Sequence, residues 1–345
     1  MKRLCYVICV IVSLYGLEWQ KLPDVPVGRG DDIAIGYTKP PEEQQIIYIA
    51  DRFSWPYKSI DGGNTWDSLY LDVSARKPLA VVCNKNNADS VWIAKSERDE
   101  PEYKGVYFSF DGGGTWVKRD EGITNFKILC LNQAPDNPNF LFLGCEYEEN
   151  NFNVFKTENG GEIWIPLGII QNAYYIWDIE TPSYLSNYIY AGTSNGVYES
   201  KDGGNTWLKT LNKNCFDVEI SNNYVYVLCY HKEKYILYKK NFSENKWEIV
   251  KDFKYQENQL KGKIEIINSK IYLALKGIGL LKSEDGIKWE EIFKEFLLNN
   301  VKLNPKDFNI IYIISEFGFY KSIDGGNTWE RCIKGFRKKI DFNKF

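Results

Sequence analysis

The octapeptide SIDGGNTW stands at Ser59–Trp66 and again, letter for letter, at Ser322–Trp329. Close copies are SFDGGGTW at Ser109–Trp116 and SKDGGNTW at Ser200–Trp207. Looser ones are TENGGEIW (Thr157–Trp164), SEDGIKW (Ser283–Trp289) and NFSENKW (Asn241–Trp247). The closing tryptophans fall at 66, 116, 164, 207, 247, 289 and 329, so the chain repeats itself every 40 to 50 residues over nearly its whole length. A period of that size suits one four-stranded propeller blade, which cannot bury its faces until neighbours stack on it.

Each period holds three or four short runs rich in Ile, Val, Tyr and Phe, as in NYIYAGT and GVYESKDGGNTWLKTL. Apolar and polar residues alternate in GVYES and WLKTL, the period of a strand. EEIFKEFLLNN (Glu290–Asn300) is the nearest thing to a helical pattern, and the repeat register overrides it. The box is expected to be the hairpin between the third and fourth strands. Asp61, Asp111, Asp202, Asp285 and Asp324 would accept backbone N–H bonds across the turn. The following glycines permit positive φ. Trp66, Trp116, Trp207, Trp289 and Trp329 would lock the outer edge of each blade. These residues are read as structural.

S-x-D-x-G-x-T-W resembles the Asp-box, or BNR repeat, found in the propellers of sialidases, sortilin-type receptors, xyloglucanases and photosystem II assembly factors. NPNFLFLG (Asn137–Gly144) and the GVY preceding a box strengthen the resemblance. It covers about residues 18 to 340. It implies an all-β, seven-bladed propeller of four-stranded antiparallel blades, with eight blades as the alternative. It also implies that the box is scaffold, since in those families it usually lies away from the active face. The blades are expected near 31–72, 77–123, 126–171, 174–213, 216–255, 262–296 and 299–336. LEWQKLP (Leu17–Pro23) reads as an isolated fourth strand and KKIDFN (Lys338–Asn343) as an isolated first one, either of which could close the ring.

Lys2 and Arg3 precede an apolar run that ends near Gly16, too short to span a bilayer comfortably. Residues 1–16 therefore read as a signal peptide and 17–345 as one propeller domain, exported to the periplasm, cell surface or medium. The formal net charge of -3 offers no basic footprint for nucleic acid. Six cysteines follow residue 16, none in a C-x-x-C pair. They are expected mainly as buried thiols, with one or two disulfides possible.

A sialidase would need an arginine triad, a Tyr–Glu pair and an acid Asp. No Arg-Ile-Pro motif is present, and no arginine lies between Arg119 and Arg331. Asp51 in IADRFSW fits an ordinary second strand as well as an acid site. One histidine, His231, excludes histidine triads and His-rich metal sites, so no metal or cofactor is expected. A glycoside hydrolase with an unrecognised carboxylate pair is the alternative reading. The favoured one is a non-enzymatic binding platform or assembly factor for a protein or a surface glycan, with the acidic balance favouring a basic partner. Its face would be built by the long loops of the early blades and the connections between blades. They carry Trp55, Glu97, Asp99, Glu100, Glu102, Tyr103, Tyr147, Glu148, Phe152, Tyr174 and Tyr175, aromatic residues beside charge.

Overall fold

The computed structural model describes residues 30–51, 55–69, 78–96, 103–149, 151–183, 185–254, 261–295 and 297–336. These residues form seven antiparallel sheets of four strands each, every sheet built from four consecutive strands, and no α-helix. The expected seven-bladed propeller is therefore found, and the eight-bladed alternative is not. The blades run Gly30–Ser68, Ala80–Lys118, Ile128–Pro166, Ile176–Leu211, Asn214–Lys254, Gly262–Phe293 and Leu298–Arg331. The segment Glu290–Asn300 holds two strands, Glu290–Phe293 and the start of Leu298–Leu303. The proposed signal segment and both candidate closing strands lie outside the described residues.

The first strands of neighbouring blades touch one another in an unbroken circle, including the last against the first. Tyr37 donates to Asn304 across that junction at 2.6 Å, and Tyr312 donates to Gln45 at 3.0 Å. One position repeats in every blade. The second strand places an aromatic ring opposite a first-strand residue: Tyr48, Trp92, Phe142, Tyr190, Tyr226, Tyr272 and Tyr312. Except for the half-buried Tyr226, these rings are almost fully buried and fill the wedge between sheets. Burying an aromatic side chain contributes about 1.5–3 kcal/mol.

The box is a hairpin with a fixed hydrogen-bond set. Asp202 Oδ1 accepts from the Thr206 N–H at 2.9 Å and Oδ2 from the Thr206 hydroxyl at 2.6 Å. Ser200 donates to Asp202 and accepts from the Gly204 N–H, both at 2.8 Å. The same bonds recur at Asp61, Asp111 and Asp324. Gly63 takes φ +88°, and a Cβ there would meet the Phe319 ring at 2.7 Å. The tryptophans do more than lock their own blade edge: all seven pack against the preceding blade. Trp66 meets Phe319, Trp289 meets Phe253, and Trp116 and Trp207 join clusters containing Leu69 and Leu167. Trp164, Trp247 and Trp329 donate their indole N–H to Arg119 O, Thr210 Oγ1 and Ile292 O.

Cys215 and Cys229 are joined by a disulfide between the first and second strands of the fifth blade. Cys83, Cys130, Cys145 and Cys332 are buried thiols.

Candidate functional site

The ring of first strands presents its inner edge, with unpaired backbone groups, to the axis of the propeller. Such an edge must find partners. Side chains from neighbouring blades supply them. Asp32 Oδ2 accepts from the Val81 N–H, Asp178 Oδ2 from Val218, Asp217 Oδ2 from Ile264 and Glu265 Oε1 from Leu303. In each case a carboxylate on one blade caps the free edge of the next. A bulge directly before Asp32, Asp178 and Asp217 turns the carboxylate toward that edge.

Register places a second axial layer two residues further along the same strands: Ala34, Val82, Asn132, Glu180, Glu219, Glu265 and Lys302. The first three blades give this layer small or neutral residues. The last four crowd three carboxyl groups and a lysine together. Lys302 Nζ lies 2.7 Å from Glu265 Oε2, and Lys263 Nζ lies 2.5 Å from Asp217 Oδ1.

Glu180 and Glu219 stand apart from the edge caps. Glu180 accepts only from the Asn132 amide at 3.2 Å, and among the described residues Glu219 accepts no hydrogen bond. Burial, then the charge of Asp178, pushes the Glu180 carboxyl up to about 8. Burial, then Glu265 and after it Glu180, raises Glu219 well above the usual carboxylate range. Asp32 and Asp217 are raised by the same burial. Burial works against the charge on Lys263, but Asp178, Asp217 and Asp32 outweigh it and raise its pKa. The Lys263 side chain is nevertheless 29% exposed. That exposure lets water screen the attraction of the three carboxylates in part.

The residues expected from the sequence fall elsewhere, and they divide. Tyr147 and Tyr174 do come together between the third and fourth blades, with Tyr175 next to them and Glu148 and Phe152 on the same third-blade loop. Tyr147 N–H donates to Tyr174 O at 2.8 Å, their rings meet edge to face at 6.4 Å, and Phe152 packs on Phe155. Glu148 is held by Lys127 at 2.6 Å. Trp55 is half-buried on the first blade and Tyr103, under Lys95, on the second. Glu97, Asp99, Glu100 and Glu102 lie outside the described residues. Asp51 ends an ordinary second strand.

The axial carboxyl groups were missed. Their signal was present as Asp178-x-Glu180 and Asp217-x-Glu219, two acids at strand spacing inside otherwise apolar first strands. Among the described residues no group of three or more acidic, His or Cys side chains is arranged to hold a metal ion, and no helix is long and apolar enough to cross a membrane.

No protein-family model matches the chain, and no curated protein matches it. Solved structures do. An ancestral GH74 enzyme superposes with TM-score 0.66 at 15% identity, covering 92% of this chain and 48% of its own. The GH74 xyloglucanase from Xanthomonas campestris gives TM-score 0.70 at 15% identity, covering 90% and 55%. YCF48 bound to a D1 peptide gives 0.61 at 16% identity, covering 86% of this chain and 94% of its own. The chain thus spans about half the length of the glycoside hydrolases it matches. At this identity the likeness establishes the fold: the chain is a seven-bladed β-propeller. It also corrects the favoured functional reading. These neighbours do not carry the reading of a non-enzymatic platform or assembly factor, since three of them are GH74 enzymes.

Proposed function

We propose that this propeller is a glycoside hydrolase whose reacting carboxyl groups are Glu180 and Glu219. The observation that carries the reading is the division of labour along the axis. Asp32, Asp178, Asp217 and Glu265 are committed to capping strand edges, whereas Glu180 and Glu219 are half-buried, electrostatically coupled and free of that task. Glycoside hydrolysis needs one carboxyl that gives a proton to the leaving oxygen and one carboxylate that activates water or attacks the sugar. In a coupled pair the loss of one proton makes the second harder to lose, so one member stays an acid after the other has become a carboxylate. Lys302 acts on both members and favours the anionic one. The glycan enters this reading as a substrate. The repeated box is taken here as an Asp-box. Export belongs to the same proposal, supported by Lys2, Arg3 and the apolar run after them.

The test is hydrolysis of a glycan panel that includes xyloglucan, by the wild-type chain and by Glu180→Gln and Glu219→Gln. Each substitution should lower kcat at least 100-fold while the protein stays folded. Absence of hydrolysis across the panel, or activity that survives both substitutions, rejects the proposal.

A further inference from the structure

On the loop side of the fourth blade lies an open cleft of about 560 Å³, lined by Asn172, Tyr174, Tyr175, Ser194 and Asn195. We propose that it is a binding subsite for a neutral pyranose ring of an oligo- or polysaccharide, remote from the reacting carboxyl groups. The inference rests on the glycoside hydrolase reading and names the substrate class within it.

Three features point to that ligand. Tyr174 is 64% exposed, a large aromatic ring presented to solvent. Tyr147 braces it edge to face, and Trp177 stacks on Tyr175 with centroids 4.8 Å apart. Aromatic faces suit the apolar face of a sugar ring.

The cleft is also rigid before any ligand arrives. Ser194 N–H donates to Tyr175 O at 3.0 Å, and Tyr175 N–H donates back to Ser194 Oγ at 3.2 Å. Asn195 donates its amide to Asn172 O at 3.0 Å. These bonds fix the rotamers and the loop, so little order is lost on binding. Finally, the lining is polar without being charged. Amides and a hydroxyl match sugar hydroxyl groups, and none of the five lining side chains offers a counter-charge to an amino or acidic sugar.

Position sets the length of the substrate. Tyr175 and Glu180 are five residues apart on one strand run with a bulge between them, so roughly 13 Å separates them. Trp177, on the bulge between them, extends the aromatic surface of Tyr175. A ligand touching both ends is therefore an oligosaccharide and not a disaccharide.

The experiment compares the wild-type chain, Tyr174→Ala and Asn195→Ala. It measures calorimetric binding of neutral xyloglucan oligosaccharides, and hydrolysis of the xyloglucan polymer and of a small aryl glycoside. Tyr174 is exposed, so its removal should leave the melting temperature unchanged. The expected result is a rise of 10-fold or more in KM for the polymer, with kcat and the aryl glycoside unaffected. If the chain binds oligosaccharide but hydrolyses nothing, and Tyr174→Ala weakens that binding 10-fold, the subsite stands and the enzyme reading falls. If hydrolysis is present and neither substitution changes polymer KM, the subsite is overturned and the enzyme reading stands. Neither binding nor hydrolysis overturns both.

Discussion

Lys240 Nζ lies 2.5 Å from Glu199 Oε2, with both side chains about 1% exposed between the fourth and fifth blades. Tyr190 donates its hydroxyl to the other Glu199 oxygen, and the Tyr190 and Trp247 rings lie beside the ammonium group. An ion pair so enclosed has lost its water, and each charge depends on the other. Glu199→Ala should lower unfolding free energy by about 3–5 kcal/mol, because it strands the lysine. The double replacement Glu199→Leu with Lys240→Met should cost much less. Urea unfolding of the three variants measures the difference, and equal losses would show that the pair is not what matters.

Ser200 offers a second test of the scaffold. Its hydroxyl joins Asp202 to the Gly204 N–H inside the hairpin, and it is buried. Ser200→Ala leaves the Gly204 N–H without its acceptor and should cost about 1–3 kcal/mol. Catalytic constants at a temperature well below the transition should not change, since this hairpin lies at the far edge of the blade from the axis.

Stability should depend on pH from both sides. The Thr206 hydroxyl and N–H hold Asp202 at about 2, and Thr328 does the same for Asp324. A carboxyl depressed from its ordinary 3.8 stabilises the fold above that value, and the contribution is lost as pH falls toward 2. Glu180 works in the opposite direction. Raised from 4.5 to about 8, it keeps a proton that the unfolded chain has released. Its contribution is full below 4.5 and is lost as pH rises through 8. Melting temperature should therefore peak near pH 4 to 5, and Glu180→Gln should flatten the alkaline decline. An unchanged decline in that variant would refute the assignment to Glu180.

The same carboxyl shapes the expected rate profile. If the Glu180–Glu219 pair must lose one proton to act, kcat should rise with pH through about 8. An optimum near pH 5, the range of ordinary carboxyl groups, would contradict that titration.

The disulfide makes a separate prediction. Cys215 and Cys229 enclose a short loop with a sequence separation of 14. Removing the cross-link by Cys215→Ser with Cys229→Ser should cost about 3 kcal/mol. Non-reducing peptide mapping should recover the two cysteines in one cross-linked fragment, and recovery of both as alkylated thiols would refute the pairing.

The architecture was legible because it is written locally and repeated. A Ser, an Asp, a pair of glycines and a Trp satisfy one hairpin within eight residues, and the spacing of the tryptophans counts the blades. Strand alternation inside each period needs only neighbours two residues apart. The loop cluster of Tyr147, Tyr174 and Tyr175 was partly legible too, since long aromatic loops stand out against short ones such as TSNG.

The axial carboxyl groups were not legible in the same way. Asp178 and Glu180 look like ordinary polar residues of a half-buried strand, and so do Asp217 and Glu219. Only closure of the ring brings residues some 40 positions apart within reach of one another. It decides which acids cap the edge of the next blade, and it leaves Glu180 and Glu219 without that role. The sequence alone determined the repeat, because hairpin chemistry is short-ranged. The tertiary structure decided the charge states along the axis, because desolvation and Coulomb coupling depend on what seven separate blades place around a common space.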